Sequence, residues 1–88
     1  IAAHPLAPLT PSLGSRSLLS LHHDPDPRHH LDAIEQLNPS AAGRVRRQER
    51  NRLNERILHL AEVGNSDAHV LEHVGTGWTW FAGTTATE

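Results

Sequence analysis

Asp67 and His69, within Gly64-Asn65-Ser66-Asp67-Ala68-His69, pair a carboxylate with an imidazole two residues apart. In an extended segment, residues i and i+2 project to the same face. Asp67 and His69 would then share one space, with Ser66 and Ala68 on the other side. A carboxylate oxygen beside an imidazole nitrogen at a strand end suits a borderline divalent ion such as zinc. A polar strand end has the same look, so the spacing alone leaves both readings open.

The other histidine-rich stretch, His22-His23-Asp24-Pro25-Asp26-Pro27-Arg28-His29-His30, resembles a metal cluster by composition. Its Asp-Pro-Asp-Pro core is turn-forming, however, and nothing gathers those side chains onto one face. A solvated loop is the expectation. His4, taken by itself, is a loop histidine before a proline, and Pro5 is expected to hold it extended.

Several elements must position these groups. Ile1 to His4 reads as a strand end, and Pro8 and Pro11 keep residues 6–12 irregular. Leu13 to Leu21 fits a short helix, with Arg16 facing solvent. Leu31 to Asn38 fits a strand buried on both faces and ended by Asn38-Pro39. Its Glu35 and Asn38 lie near the rim of a strand-end site or form a plain polar turn.

Gly43 to Ile57, capped by Ser40, is the clearest helix, with Val45, Leu53 and Ile57 as a narrow apolar stripe. Leu58 to Val63 must become the strand leading to Asp67, unless the helix runs on to Glu62. A helical turn over residues 70–74 follows; His73, four residues beyond His69, is set aside because Gly75 breaks any helix there. Gly77 to Phe81 fits a strand with Trp78 and Trp80 on one face and Phe81 on the other, serving chiefly as core filling. Residues 83–88 read as a loop and the cap of a further helix.

Composition bounds the function. Eighty-eight residues allow one small domain at most, and three aromatic residues supply little core material. The net charge of -2 argues against a general polyanion binder. Six of the eight arginines fall within residues 44–56, but Glu49 and Glu55 dilute them and no aromatic is interleaved for base stacking. A solvated outer helix is favoured there over a nucleic-acid surface. Without cysteine, any metal must be held by histidine and carboxylate. No run approaches the ~20 apolar residues of a membrane span. The chain opens on Ile with no signal-peptide pattern, so a cut within a longer, cytoplasmic protein is expected.

Gly64-Asn-Ser-Asp-Ala-His69, followed by Val74-Gly75-Thr76-Gly77-Trp78-Thr79-Trp80-Phe81, resembles the last signature of the PHP (polymerase and histidinol phosphatase) superfamily. Ala3-His4-Pro5 is similar to the family's preceding metal-binding signature, and Leu31-Asp32-Ala33-Ile34-Glu35-Gln36-Leu37-Asn38 to its Asp-Gly-Ile-Glu-Val-Asn strand. The resemblance implies an α/β fold, the C-terminal portion of a distorted (β/α)7 TIM-like barrel with metals at the strands' C-terminal ends. It implies His4, Asp67 and His69 as metal ligands, with Asp67 also orienting the attacking water, and two or three zinc, manganese or iron ions in the complete domain. The implied reaction is hydrolysis of a small-molecule phosphoester by metal-activated water. The family's first His-X-His signature and its middle His and Glu ligands have no counterpart. Residues 1–88 are therefore expected to be the C-terminal part of a PHP-type domain whose N-terminal part is absent, inactive alone although the parent is an enzyme.

Two rival readings remain. One is a degenerate PHP module whose metal site is structural or lost. The other is a small interaction module built on the arginine-rich helix.

Overall fold

A computed structural model of the chain describes residues 1–83. At its centre is strand β1, Ala33–Leu37, whose first four residues are buried, as expected of a strand covered on both faces. Strand β2, Ala61–Gly64, pairs with β1 in parallel, Ala33 opposite Ala61 and Glu35 opposite Val63. An irregularity after Glu35 places Leu37 opposite Gly64, and Asn65 N–H then donates to Leu37 O at 3.0 Å. Ala2 forms a single parallel bridge to Ile34, through Ala2 N–H to Ala33 O and Glu35 N–H to Ala2 O, both 3.0 Å. Ala33 and Glu35 direct their backbone groups to the edge opposite the one Ile34 uses, so Ala2 and β2 flank β1. All three segments run the same way, and their C-terminal ends share one side.

Parallel strands require a crossover. Here it is helical but not one helix. Helix α1, Ser15–His22, precedes β1, and a single 3-10 turn, Pro27–His29, links them. After β1 come α2, Ala41–Arg44, and α3, Arg47–Leu53, which continues as a π-helical turn over Asn54–Leu58. The single helix expected over residues 43–57 is broken. Val45 is extended and Arg46 is left-handed, with φ 52°.

The cause lies in Arg50, which is fully buried. Its Nη2 donates to Gln36 O at 3.1 Å and to Gly43 O at 2.9 Å, and its Nε donates to Gln36 Oε1 at 3.3 Å. The guanidinium thus takes up a carbonyl that the end of α2 leaves without an intrahelical partner, and staples both helices to β1. Burial lowers the Arg50 pKa, and the Glu35 charge opposes that shift.

The buried stripe is also not the expected one. Val45 and Ile57 are about 40% exposed (39% and 41%), while Arg50, Asn54 and Leu58, spaced by four, face inward. Asn54 closes the tight join into β2. Its Oδ1 accepts Leu60 N–H at 2.9 Å and its Nδ2 donates to Leu60 O at 3.1 Å, while His59, left-handed at φ 50°, turns the chain. The strand reading before Asp67 holds, and the helix ends at Leu58 rather than Glu62.

The apolar core gathers Ala2, Leu6, Leu18, Ile34 and Leu58, bordered by Leu13, Leu19, Leu31, Leu53 and Leu60. Residues 77–81 form no strand. Thr79 Oγ1 instead accepts Gly64 N–H and donates to Gly64 O, both at 2.8 Å. That contact brings Trp78 O so close that a Cβ at Gly64 would sit 2.6 Å from it. Trp78, Trp80 and Phe81 are exposed, Trp80 to 88%, so core filling is overturned. The α/β expectation is met by two parallel strands and their helices; the described residues do not close a barrel. Among them, no helix is long and apolar enough to cross a membrane. The cap expected over residues 84–88 lies outside the described residues.

Candidate functional site

The C-terminal ends of the three parallel segments lead to His4, to Asn38 and Ser40, and to Asn65 and Asp67. In open α/β sheets this is the side on which ligands bind. Glu35, 1% exposed, is the hub. Its Oε2 accepts His4 N–H at 2.5 Å and Asn38 Nδ2 at 2.9 Å, and its Oε1 accepts Asn65 Nδ2. One carboxylate thereby fixes all three segment ends relative to one another, and its several donors compensate the cost of burying charge.

Asn38 Oδ1 accepts Ser40 N–H at 2.9 Å. Ser40 Oγ then acts twice: it accepts Gly43 N–H at 3.2 Å, the expected cap, and donates to Asp67 Oδ2 at 2.9 Å. The second role had no sequence signal, because it spans 27 residues. Burial pushes the Asp67 carboxyl up. The Ser40 hydrogen bond, with the Asn38 side chain and the His4 and His69 rings in electrostatic reach, outweighs that, so its pKa falls below the usual value.

The expected strand-end geometry of Asp67 and His69 is not formed. β2 ends at Gly64, and Asp67 N–H donates to Asn65 Oδ1 at 2.7 Å, an Asx turn that gives Asp67 a φ of 49°. His69 folds back so that Nδ1 lies 2.8 Å from Asp67 O. A carbonyl only accepts, so Nδ1 carries a proton and Nε2 is the ring nitrogen left for another partner. His4 is not extended either. Its φ is 27°, imposed where the Glu35 carboxylate holds its N–H. Its Nδ1 is buried and has no hydrogen-bond partner among the described residues.

The three predicted ligands therefore lie on one side of the sheet, with both imidazoles in electrostatic reach of Asp67. Among the described residues, no three His, Cys, Asp or Glu side chains are close enough together to hold a metal ion. The donors themselves fit one chemically: an orphaned buried imidazole nitrogen, an imidazole oriented by a backbone carbonyl, and an anionic carboxylate.

In the loop over residues 22–30, His29 Nδ1 lies 3.1 Å from Asp24 Oδ2, His30 Nε2 lies 2.7 Å from Asp24 O, and Arg28 pairs with Asp26. It is a hydrogen-bonded surface turn, as its composition of Asp and Pro suggests. Sequence reasoning missed Asn65 and Arg50. The Asn-Ser-Asp run is an Asx-turn signal that pointed to the first, whereas nothing local marks the buried arginine.

Residues 49–88 match the family model described as PHP-associated. No curated protein and no solved structure matches the chain. The matched stretch begins within α3 and takes in β2, the Asp67 turn, His69 and the Thr79 contact. Residues 49–88 of this chain thus carry a PHP-associated domain.

Proposed function

We propose that this segment supplies His4, Asp67 and His69 to the metal site of a PHP-type phosphoesterase, as the last strands of its (β/α)7 barrel. The observation that carries this reading is the Glu35-centred network at the C-terminal ends of three parallel segments, with the Asp67 carboxylate held by Ser40 within electrostatic reach of His4 and His69. The PHP-associated match over Asp67 and His69 supports it.

His4 would bind through Nδ1, His69 through Nε2, and Asp67 through its carboxylate, with Ser40 holding that carboxylate in orientation. Zinc, manganese or iron, when bound, supplies an acidified water and neutralises phosphoryl charge. Glu35 and Asn65 position the ligand-bearing turns, and Ser40 keeps Asp67 deprotonated.

The test is hydrolysis of an aryl phosphate by the protein carrying this segment, with zinc or manganese added. Metal-dependent turnover that falls by about 10²-fold or more in both Asp67→Ala and His69→Ala is expected. Full activity in those variants, or none in the parent with any of these metals, refutes the reading.

A further inference from the structure

A pocket of about 270 Å³ opens beside Asp67, lined by Pro39, Ser40, Ala41, Arg44, Ser66, His73 and Thr76. It adjoins the candidate metal ligands through two residues: Ser40, which holds Asp67, and Ser66, which precedes it. Among the described residues, no acidic side chain lines it.

Its polar groups divide into those already committed and those that are free. Ser40 Oγ donates to Asp67, and Thr76 Oγ1 donates to His73 O at 2.7 Å. Arg44 Nε donates to Pro39 O at 2.7 Å, which fixes the guanidinium against the wall. Its terminal nitrogens form no hydrogen bond or ion pair with the described residues, and neither do the His73 ring nor the Ser66 hydroxyl. A held guanidinium, an imidazole and a hydroxyl, all able to donate and with no carboxylate among them, match an oxyanion.

We propose that this pocket binds a second anionic group of the substrate, a phosphate or carboxylate distinct from the phosphoryl group that reacts at Asp67. The proposal rests on the phosphoesterase reading for what the ligand is, and on Arg44, His73 and Ser66 for where it binds. The substrate class is accordingly a phosphoester with a further oxyanion on its leaving group. Arg44 recognises the charge, and His73, brought in by the Leu71–His73 turn, adds a second donor.

The experiment titrates the metal-free chain, in chelator, with inorganic phosphate and separately with acetate, following the His73 ring and the Arg44 side-chain N–H signals by NMR. Saturable shifts of both with at least one anion are expected; phosphate alone or acetate alone names which oxyanion the pocket prefers. Affinity should fall roughly tenfold or more in Arg44→Gln and recover in part in Arg44→Lys. Arg44 is exposed, and unchanged backbone spectra verify that these variants fold. No saturable shift with either anion, or equal affinity in Arg44→Gln, would overturn the proposal. Because metal is absent, a failure here leaves the phosphoesterase reading standing, and a failure of hydrolysis leaves the pocket standing.

Discussion

Ser40 Oγ donates to Asp67 Oδ2 at 2.9 Å while accepting Gly43 N–H, so one hydroxyl starts α2 and holds the carboxylate of the turn after β2. The crossover helix and the candidate site are coupled at that atom. Ser40→Ala is expected to cost about 1 kcal/mol of stability through the lost cap, read from urea unfolding. It should also raise the Asp67 pKa toward the ordinary carboxylate value, read by carboxyl-carbon NMR. An unchanged Asp67 titration would separate the two roles and contradict the coupling.

Glu35 is the more severe position. Glu35→Gln replaces one carboxylate oxygen by an amide nitrogen, which sets a donor against Asn65 Nδ2 or against both His4 N–H and Asn38 Nδ2, and leaves the buried Arg50 without its nearby charge. A loss of about 3 kcal/mol is expected, measured as a shift of the unfolding midpoint. A change below ~1 kcal/mol would mean that the segment ends are held by something else.

His59 should tolerate replacement with a gain. It ends the helical segment in the left-handed region at φ 50°, where a side chain is strained and glycine is not. His59→Gly is expected to stabilise the chain by roughly 0.5–1 kcal/mol. Destabilisation would show that the imidazole makes a contact that offsets the strain.

The Asp24–His30 loop should loosen in acid. The side-chain hydrogen bond from Arg28, then its backbone N–H, lowers the Asp26 pKa against a small opposing effect of burial; the backbone N–H of Asp26 and the His29 ring lower that of Asp24. A depressed folded-state pKa contributes stability above the unfolded value of 3.8 and loses it as pH falls through the folded value. Exchange protection of the Arg28 amide should therefore fall below about pH 4 and become pH-flat in Asp26→Asn. Protection that rises on acidification would reverse the assignment.

The parts that were legible in the sequence are those where local chemistry and burial agree. β1 could be read because Ala33 to Gln36 suit a strand covered on both faces and Asn38-Pro39 stops it; Ser40 could be read because a cap is a local device. The helix break at Val45–Arg46 was not legible, since no Pro or Gly marks it. It follows from Arg50 reaching Gln36 O and Gly43 O, a contact that closes only in three dimensions. The inward stripe of Arg50, Asn54 and Leu58 was hidden for the same reason: a polar residue on a helix reads as solvated until its partners are known. Asp67 and His69 were rightly placed after a strand. Their assumed extended geometry failed because Asn65 captures the Asp67 N–H and bends the chain.

The most direct test of the central claim is a zinc titration of the chain followed through the ring signals of all its histidines. Coordination by His4, Asp67 and His69 predicts that His4 and His69 shift first and together, and that Asp67→Ala weakens the response about tenfold or more. First shifts confined to the histidines of residues 22–30, with His4 and His69 unmoved, would contradict it.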